Sequence, residues 1–212
     1  MPLYKTITVR PGTQVLIWSI TEDFKTLFDD VPLRPESLER VQGMKSEIHR
    51  RGFMSVRQLL KLAGYTDHDL WYDTYGKPHL KDGKHITITH SFGFSALAVS
   101  DAPIGVDIEK QRSKILKIAH KFTPIAEYRT LANDEAIMRK LTLVWCAKES
   151  LYKLFATPGL SFLQHIEVSD FELEAATTTA DIYYKSHTSK YQVHFLEFEG
   201  FTCAFAYPFL ND

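Results

Sequence analysis

Ile104-Gly105-Val106-Asp107-Ile108-Glu109-Lys110 is the stretch on which the reading of this chain turns. Alternation of β-branched Val106 and Ile108 with Asp107 and Glu109 is a strand pattern, in which side chains two apart leave on one face. Both carboxylates then point the same way. Like charges on one face repel, and a stable strand avoids them unless something positive stands between. A hard divalent cation such as Mg²⁺ meets that need, since it takes one or two carboxylates and leaves its other positions to water and phosphate oxygens. The competing reading makes Asp107 and Glu109 the solvated face of an edge strand.

Working outward, residues 85–89 alternate Ile86 and Ile88 inward, and residues 93–99 read as their hairpin partner, with His90 and Ser91 where the first strand ends. Tyr75-Gly76-Lys77-Pro78 is a turn signal ahead of them. Further back, residues 14–20 form an apolar run suited to a buried strand. Pro35-Glu36-Ser37 then opens a helical stretch with Leu38, Val41, Met44 and Ile48 at helical spacing, and Val56, Leu59, Leu60 and Ala63 carry a second run to Gly64. Lys45, His49, Arg50, Arg51, Arg57 and Lys61 fall on or between these runs, as a local phosphate patch or as a solvated helical face.

Downstream, Ser113 caps a helix through Phe122, Thr123-Pro124 starts another, and a long helix runs from Asp134 towards Phe155 through Ile137, Leu141, Val144 and Trp145. Glu149 and Lys153 stand at i and i+4 on it, one turn beyond Trp145, which is either an exposed ion pair or part of a site. Thr157-Pro158-Gly159 ends that helix. The remainder reads as strands over residues 166–171, 180–184, 191–198 and 200–207. Gly93-Phe94-Ser95-Ala96-Leu97-Ala98 and Gly200-Phe201-Thr202-Cys203-Ala204-Phe205-Ala206 match in pattern, each closing a hairpin after a helical region. The match fits either a duplicated chain or the ordinary alternation of aromatic and small residues in hairpins. Duplication predicts an α+β fold of two similar halves, residues 1–102 and 103–212, related by a pseudo-twofold axis, each a small antiparallel sheet packed on helices. Such halves would leave a cleft suited to a ligand.

The 212 residues, 44% hydrophobic and 24% charged, suit an ordinary globular protein with a sizeable core. With 25 basic against 26 acidic residues, no global field marks a nucleic-acid or membrane-surface binder. Two cysteines are too few for a disulfide framework, the start Met1-Pro2-Leu3-Tyr4-Lys5 lacks the apolar core of a signal peptide, and no run approaches the roughly 20 apolar residues of a membrane span. A cytoplasmic location is expected. The nine histidines show no zinc spacing, so a metal would be held by oxygen.

Tyr75-Gly76-Lys77-Pro78, Thr89-His90-Ser91, the Ile104–Lys110 stretch and Trp145-Cys146-Ala147-Lys148-Glu149-Ser150-Leu151-Tyr152-Lys153 followed by Gly159-Leu160-Ser161 together resemble the 4′-phosphopantetheinyl transferase superfamily, in its larger, monomeric, pseudo-dimeric class. The resemblance covers about residues 75 to 161. It implies transfer of the phosphopantetheine arm of coenzyme A to a serine of an apo acyl or peptidyl carrier protein, with release of adenosine 3′,5′-bisphosphate. By motif position, Asp107, Glu109 and Glu149 would hold Mg²⁺, or Mn²⁺, on the pyrophosphate. Glu149 would take the serine proton and Lys153 would neutralise the leaving phosphate. His90 with Thr89 resembles the phosphate-binding pair, Lys77 and Pro78 the loop on the adenine, and Arg57 the arginine at the 3′-phosphate. The family's G-K-G-L-S turn is replaced here by Thr157-Pro158-Gly159-Leu160-Ser161. Two other readings compete with this one. A metal-dependent phosphodiesterase or nuclease uses similar acids but prefers a basic groove, which near-zero net charge disfavours. A carrier-protein or nucleotide binding module with an inactive site is disfavoured by the presence of Glu149 and Lys153.

Overall fold

The computed structural model describes residues 2–124 and 133–209, and the chain divides into two units, Met1–Ala102 and Pro103–Asp212. In the first, β1 (Leu3–Arg10), β2 (Thr13–Ser19), β5 (His85–Ser91) and β6 (Phe94–Ser100) form an antiparallel sheet in the order β1-β2-β6-β5. Three helices accompany it: α1 (Phe24–Asp29), α2 (Pro35–Gly43) and α3 (Glu47–Leu62). Helix α3 lies against β2, β5 and β6, and the Ser55 and Ser95 hydroxyls, 2.8 Å apart, join it to β6 inside the core. A two-stranded ribbon, β3 (Leu70–Tyr72) with β4 (Pro78–Leu80), completes this unit.

The helical spacing from Leu38 to Ile48 suggested one continuous run, yet the chain breaks between α2 and α3. Ser46 sits extended and its hydroxyl accepts from His49 N, so a new helix starts there, and Ile48 is exposed rather than packed. Strand β1 and helix α1 carry weak apolar patterns and were not expected.

The second unit holds a five-stranded antiparallel sheet in the order β7-β11-β10-β9-β8. Its strands are β7 (Gly105–Lys110), β8 (Ile166–Val168), β9 (Thr177–Tyr184), β10 (His187–Phe198) and β11 (Phe201–Pro208). Helix α4 (Lys114–Ile118) is short and starts after Ser113 without a side-chain cap bond. The helix expected from Thr123-Pro124 falls on residues 125–132, outside the described residues. Helix α5 (Asp134–Phe155) has the expected bounds for clear reasons: Asn133 Oδ1 accepts from Ala136 N at 2.9 Å, Asp134 and Glu135 complement the dipole, and Ala156 ends it at φ 48°. Helix α6 (Phe162–His165) follows.

β2 in the first unit and β7 in the second each pair antiparallel with the last strand of the closing hairpin, giving β2-β6-β5 in one and β7-β11-β10 in the other. Both hairpins turn through two residues with the first at positive φ, Phe92 at 51° and Glu199 at 49°. The similarity of the Gly93 and Gly200 segments is thus matched by the strand order around them.

Candidate active site

Helix α5 lies against β7 and β11, and Gly105 sets how closely. A Cβ there would stand 1.9 Å from the Ser150 carbonyl oxygen, so only a residue without a side chain lets the helix backbone down onto the strand. Asp107 and Glu109 share the face of Gly105 and therefore project towards the same helix. Opposite them α5 presents Cys146, Glu149, Ser150 and Lys153, one stripe at helical spacing. The Ser150 hydroxyl shares its proton between Cys146 O at 2.8 Å and Ala204 O at 2.9 Å, and Cys146 Sγ donates to Thr202 O at 3.5 Å, so α5 is pinned to β11 as well. Lys153 Nζ donates to Asp107 Oδ1 at 2.7 Å and to Val106 O at 3.2 Å. Among the described residues its ion pair is with this strand carboxylate and not with Glu149 one turn earlier, which sets aside the surface-bridge reading. Although β7 is an edge strand, Asp107 is 4% exposed, so its carboxylate is not a solvated edge.

Burial, then the charge of Asp107 and more weakly that of Glu109, push the Glu149 carboxyl up to about 7, with Lys153 opposing. Burial works against the Lys153 ammonium, yet Asp107 and then Glu149 hold it above the ordinary lysine range. Burial first, then the same two strand acids, drive the Cys146 thiol well up, leaving it neutral and unsuited to act as a nucleophile. The site therefore offers one carboxylate able to exchange a proton near neutral pH beside an ammonium–carboxylate pair. Among the described residues no three His, Cys, Asp or Glu side chains are gathered closely enough to ligate one ion. The ready-made cluster of Asp107, Glu109 and Glu149 expected from the sequence is not what stands here, because Lys153 is the cation on Asp107.

The remaining site candidates lie in the first unit. His90 is exposed at the end of β5 beside α3, where a Cβ on Gly52 would meet its Nδ1 at 2.8 Å, so Gly52 is the notch that admits the imidazole. The His49 ring lies 6.3 Å from it, and Thr89 is buried. Lys77 and Pro78 follow a turn built by Asp73, whose Oδ1 accepts from Tyr75 N at 2.9 Å and Lys77 N at 3.0 Å, with Gly76 at φ 82°. Arg57 departs from expectation. Its side chain is 2% exposed, its Nε donates to buried Asp67 at 3.1 Å, and its guanidinium lies 3.5 Å from the Phe53 ring centre. A guanidinium buried this deeply presents no surface to a phosphate. Arg50 over Phe24, Arg51 Nη2 on Ile20 O at 2.6 Å, and Lys61 with Asp30 at 2.9 Å are likewise engaged, whereas Lys45 is exposed.

Residues 103–206, the second unit almost entire, match the family model of the 4′-phosphopantetheinyl transferase superfamily. The second unit is similar to that superfamily. It is 29% identical over 133 residues to 4′-phosphopantetheinyl transferase gsp of Aneurinibacillus migulanus, covering 61% of this chain and 54% of that protein. With 4′-phosphopantetheinyl transferase Sfp of Bacillus subtilis strain 168 it shares 33% over 132 residues, covering 57% and 59% respectively. The chain spans about half the length of the curated relatives it matches.

Gly105, Ser150 and Lys148 carry no role that the sequence alone suggests. Lys148, 2% exposed, donates to Phe122 O at 2.6 Å and Phe162 O at 2.9 Å, bracing the segments on either side of α5 rather than facing the carboxylates. The signal for Gly105 was in plain view, a glycine opening a β-branched strand, but only the helix reveals what it makes room for. Where the family turn often has lysine, the Pro158 carbonyl accepts from Tyr184 Oη at 2.9 Å. Gly105→Ala is expected to lower stability by about 1–3 kcal/mol through overpacking. Lifting α5 should also part Lys153 from Asp107. Thermal melts check this, and a wild-type melting temperature would overturn the role of Gly105.

Proposed function

We propose that this protein transfers the 4′-phosphopantetheine arm of coenzyme A to a serine hydroxyl of an apo acyl or peptidyl carrier protein, releasing adenosine 3′,5′-bisphosphate. The observation that carries the reading is the stripe of α5 that sets Glu149 and Lys153 against β7, with Lys153 Nζ 2.7 Å from Asp107 Oδ1. A carboxylate there is suited to accept the serine proton, and a neighbouring ammonium to meet charge on the departing phosphate. The activities printed in the names of gsp and Sfp support the same reading.

The donor set is of the kind a hard cation takes: all oxygen, with mutual repulsion between Glu149 and the two strand acids for a cation to relieve. Asp107, Glu109 and Glu149 would hold Mg²⁺, or Mn²⁺ in its place. Bound there, the ion would neutralise pyrophosphate oxygens. Thr89, His90, Lys77 and Pro78 of the first unit are assigned to the nucleotide end of coenzyme A by resemblance. Arg57 is withdrawn from that set, and the strand order common to the two units supports their origin as two copies of one topology. Activity as a monomer in the cytoplasm belongs to the same proposal. Among the described residues no helix is long and apolar enough to cross a membrane.

Incubation with coenzyme A, Mg²⁺ and a panel of apo carrier proteins, read by intact mass, tests the proposal. A mass gain of one phosphopantetheine on the carrier is expected, and it should vanish in excess chelator. No gain on any acyl or peptidyl carrier, with the enzyme folded, would overturn it.

A further inference from the structure

We propose that Lys153 and the divalent metal are alternative partners of Asp107, so that the metal binds by displacing the lysine ammonium from the strand carboxylate. The inference rests on the reading of the site given above and goes beyond it, because it makes Lys153 a competitor of the metal as well as a phosphate contact. Three observations bear on it. Asp107 is almost wholly buried, its side chain 5% exposed, so its charge must be met by a cation at contact. Lys153 Nζ meets it at 2.7 Å and is further held by Val106 O at 3.2 Å. The Lys153 side chain, on the last turn of α5, is 27% exposed and its four-carbon stem is flexible, so the ammonium has a way out towards solvent.

An ammonium and a divalent ion both at contact with one carboxylate repel across a few ångströms in a poorly solvated place, so a metal arriving at Asp107 favours release of Lys153. Exchange also has a use: the displaced ammonium becomes available to a phosphate only after the metal has arrived, so charge for the leaving group is supplied when the metal-bound pyrophosphate is in place.

Mn²⁺ titration in the absence of coenzyme A, followed by electron paramagnetic resonance of the free ion, tests the competition on the whole protein. Lys153→Met keeps the length of the stem and removes the charge. It is expected to bind Mn²⁺ at least about tenfold more tightly than wild type, since it deletes the competing cation. Adding Asp107→Asn to that variant should abolish the gain. A second measurement needs no variant: acetylation of Lys153 in the wild-type protein, mapped by mass spectrometry, should speed up several-fold when Mn²⁺ is present. Equal or weaker Mn²⁺ binding by Lys153→Met, or acetylation unchanged or slowed by Mn²⁺, overturns the competition. If transfer nonetheless needs metal, only the competition fails. If none of the proteins binds Mn²⁺ and transfer proceeds in chelator, the metal site itself fails.

Discussion

Glu149→Gln should slow single-turnover transfer by about 10²- to 10⁴-fold, the usual contribution of a positioned proton acceptor, with a further loss from a missing metal ligand. A second signature separates this from a merely structural role. The carboxyl is raised from its unfolded value of 4.5 to about 7, first by burial and then by Asp107, so the folded protein holds this proton more tightly than the unfolded chain. Its contribution to stability is therefore fully present below about 4.5 and is lost as pH rises through about 7. Wild type carries that loss at pH 8 and the glutamine variant does not. The variant's melting temperature should exceed that of wild type, with a larger excess at pH 8 than at pH 5, while its rate collapses. In the metal-free protein the same carboxyl should make binding of a divalent ion tighten as pH rises through about 7, since the ion takes its deprotonated form. Near wild-type transfer by Glu149→Gln would sink the catalytic assignment, and a melting temperature below wild type at pH 8 would sink the buried-charge account.

Arg57→Ala should destabilise the protein by roughly 3 kcal/mol, the lower part of the range for breaking a buried ion pair. Asp67 is wholly buried at its side chain, and with Arg57 gone it keeps Arg34 N at 3.1 Å and the more distant Arg34 Nε at 3.8 Å. These partners place the loss at the lower end. A chain of this size should then melt about 6–12 °C lower. Replacing both partners together, Arg57→Met with Asp67→Leu, should recover most of the loss, because the penalty comes from an orphaned charge and not from the missing attraction. The phosphate role suggested by resemblance makes a different forecast: little change in melting, and weakened binding of coenzyme A with dephospho-coenzyme A spared. That outcome would show that the Arg57–Asp67 bond does not describe the protein in solution.

Periodicity and end signals were enough to place α5, β2, β5, β6 and β7. They depend on short-range physics: Asn133 caps, Ala156 closes, and alternating β-branched residues fit a strand whatever lies beside it. Helical spacing failed where a second local signal overruled it. Met44 and Ile48 keep helical spacing, yet Ser46 interrupts the helix between them, since a hydroxyl that satisfies a free N–H competes well with one more helical turn. For the site, the sequence by itself determined which residues share a face, because the strand period aims Asp107 and Glu109 together and the helical period puts Glu149 and Lys153 on one side. It could not determine who pairs with whom. That Lys153 reaches across to Asp107 instead of along its helix, that Gly105 admits the helix that allows it, and that Arg57 is buried in an ion pair were decided only by the tertiary structure. Charge pairing depends on distances between elements far apart in the chain, and those distances exist only once the elements have packed.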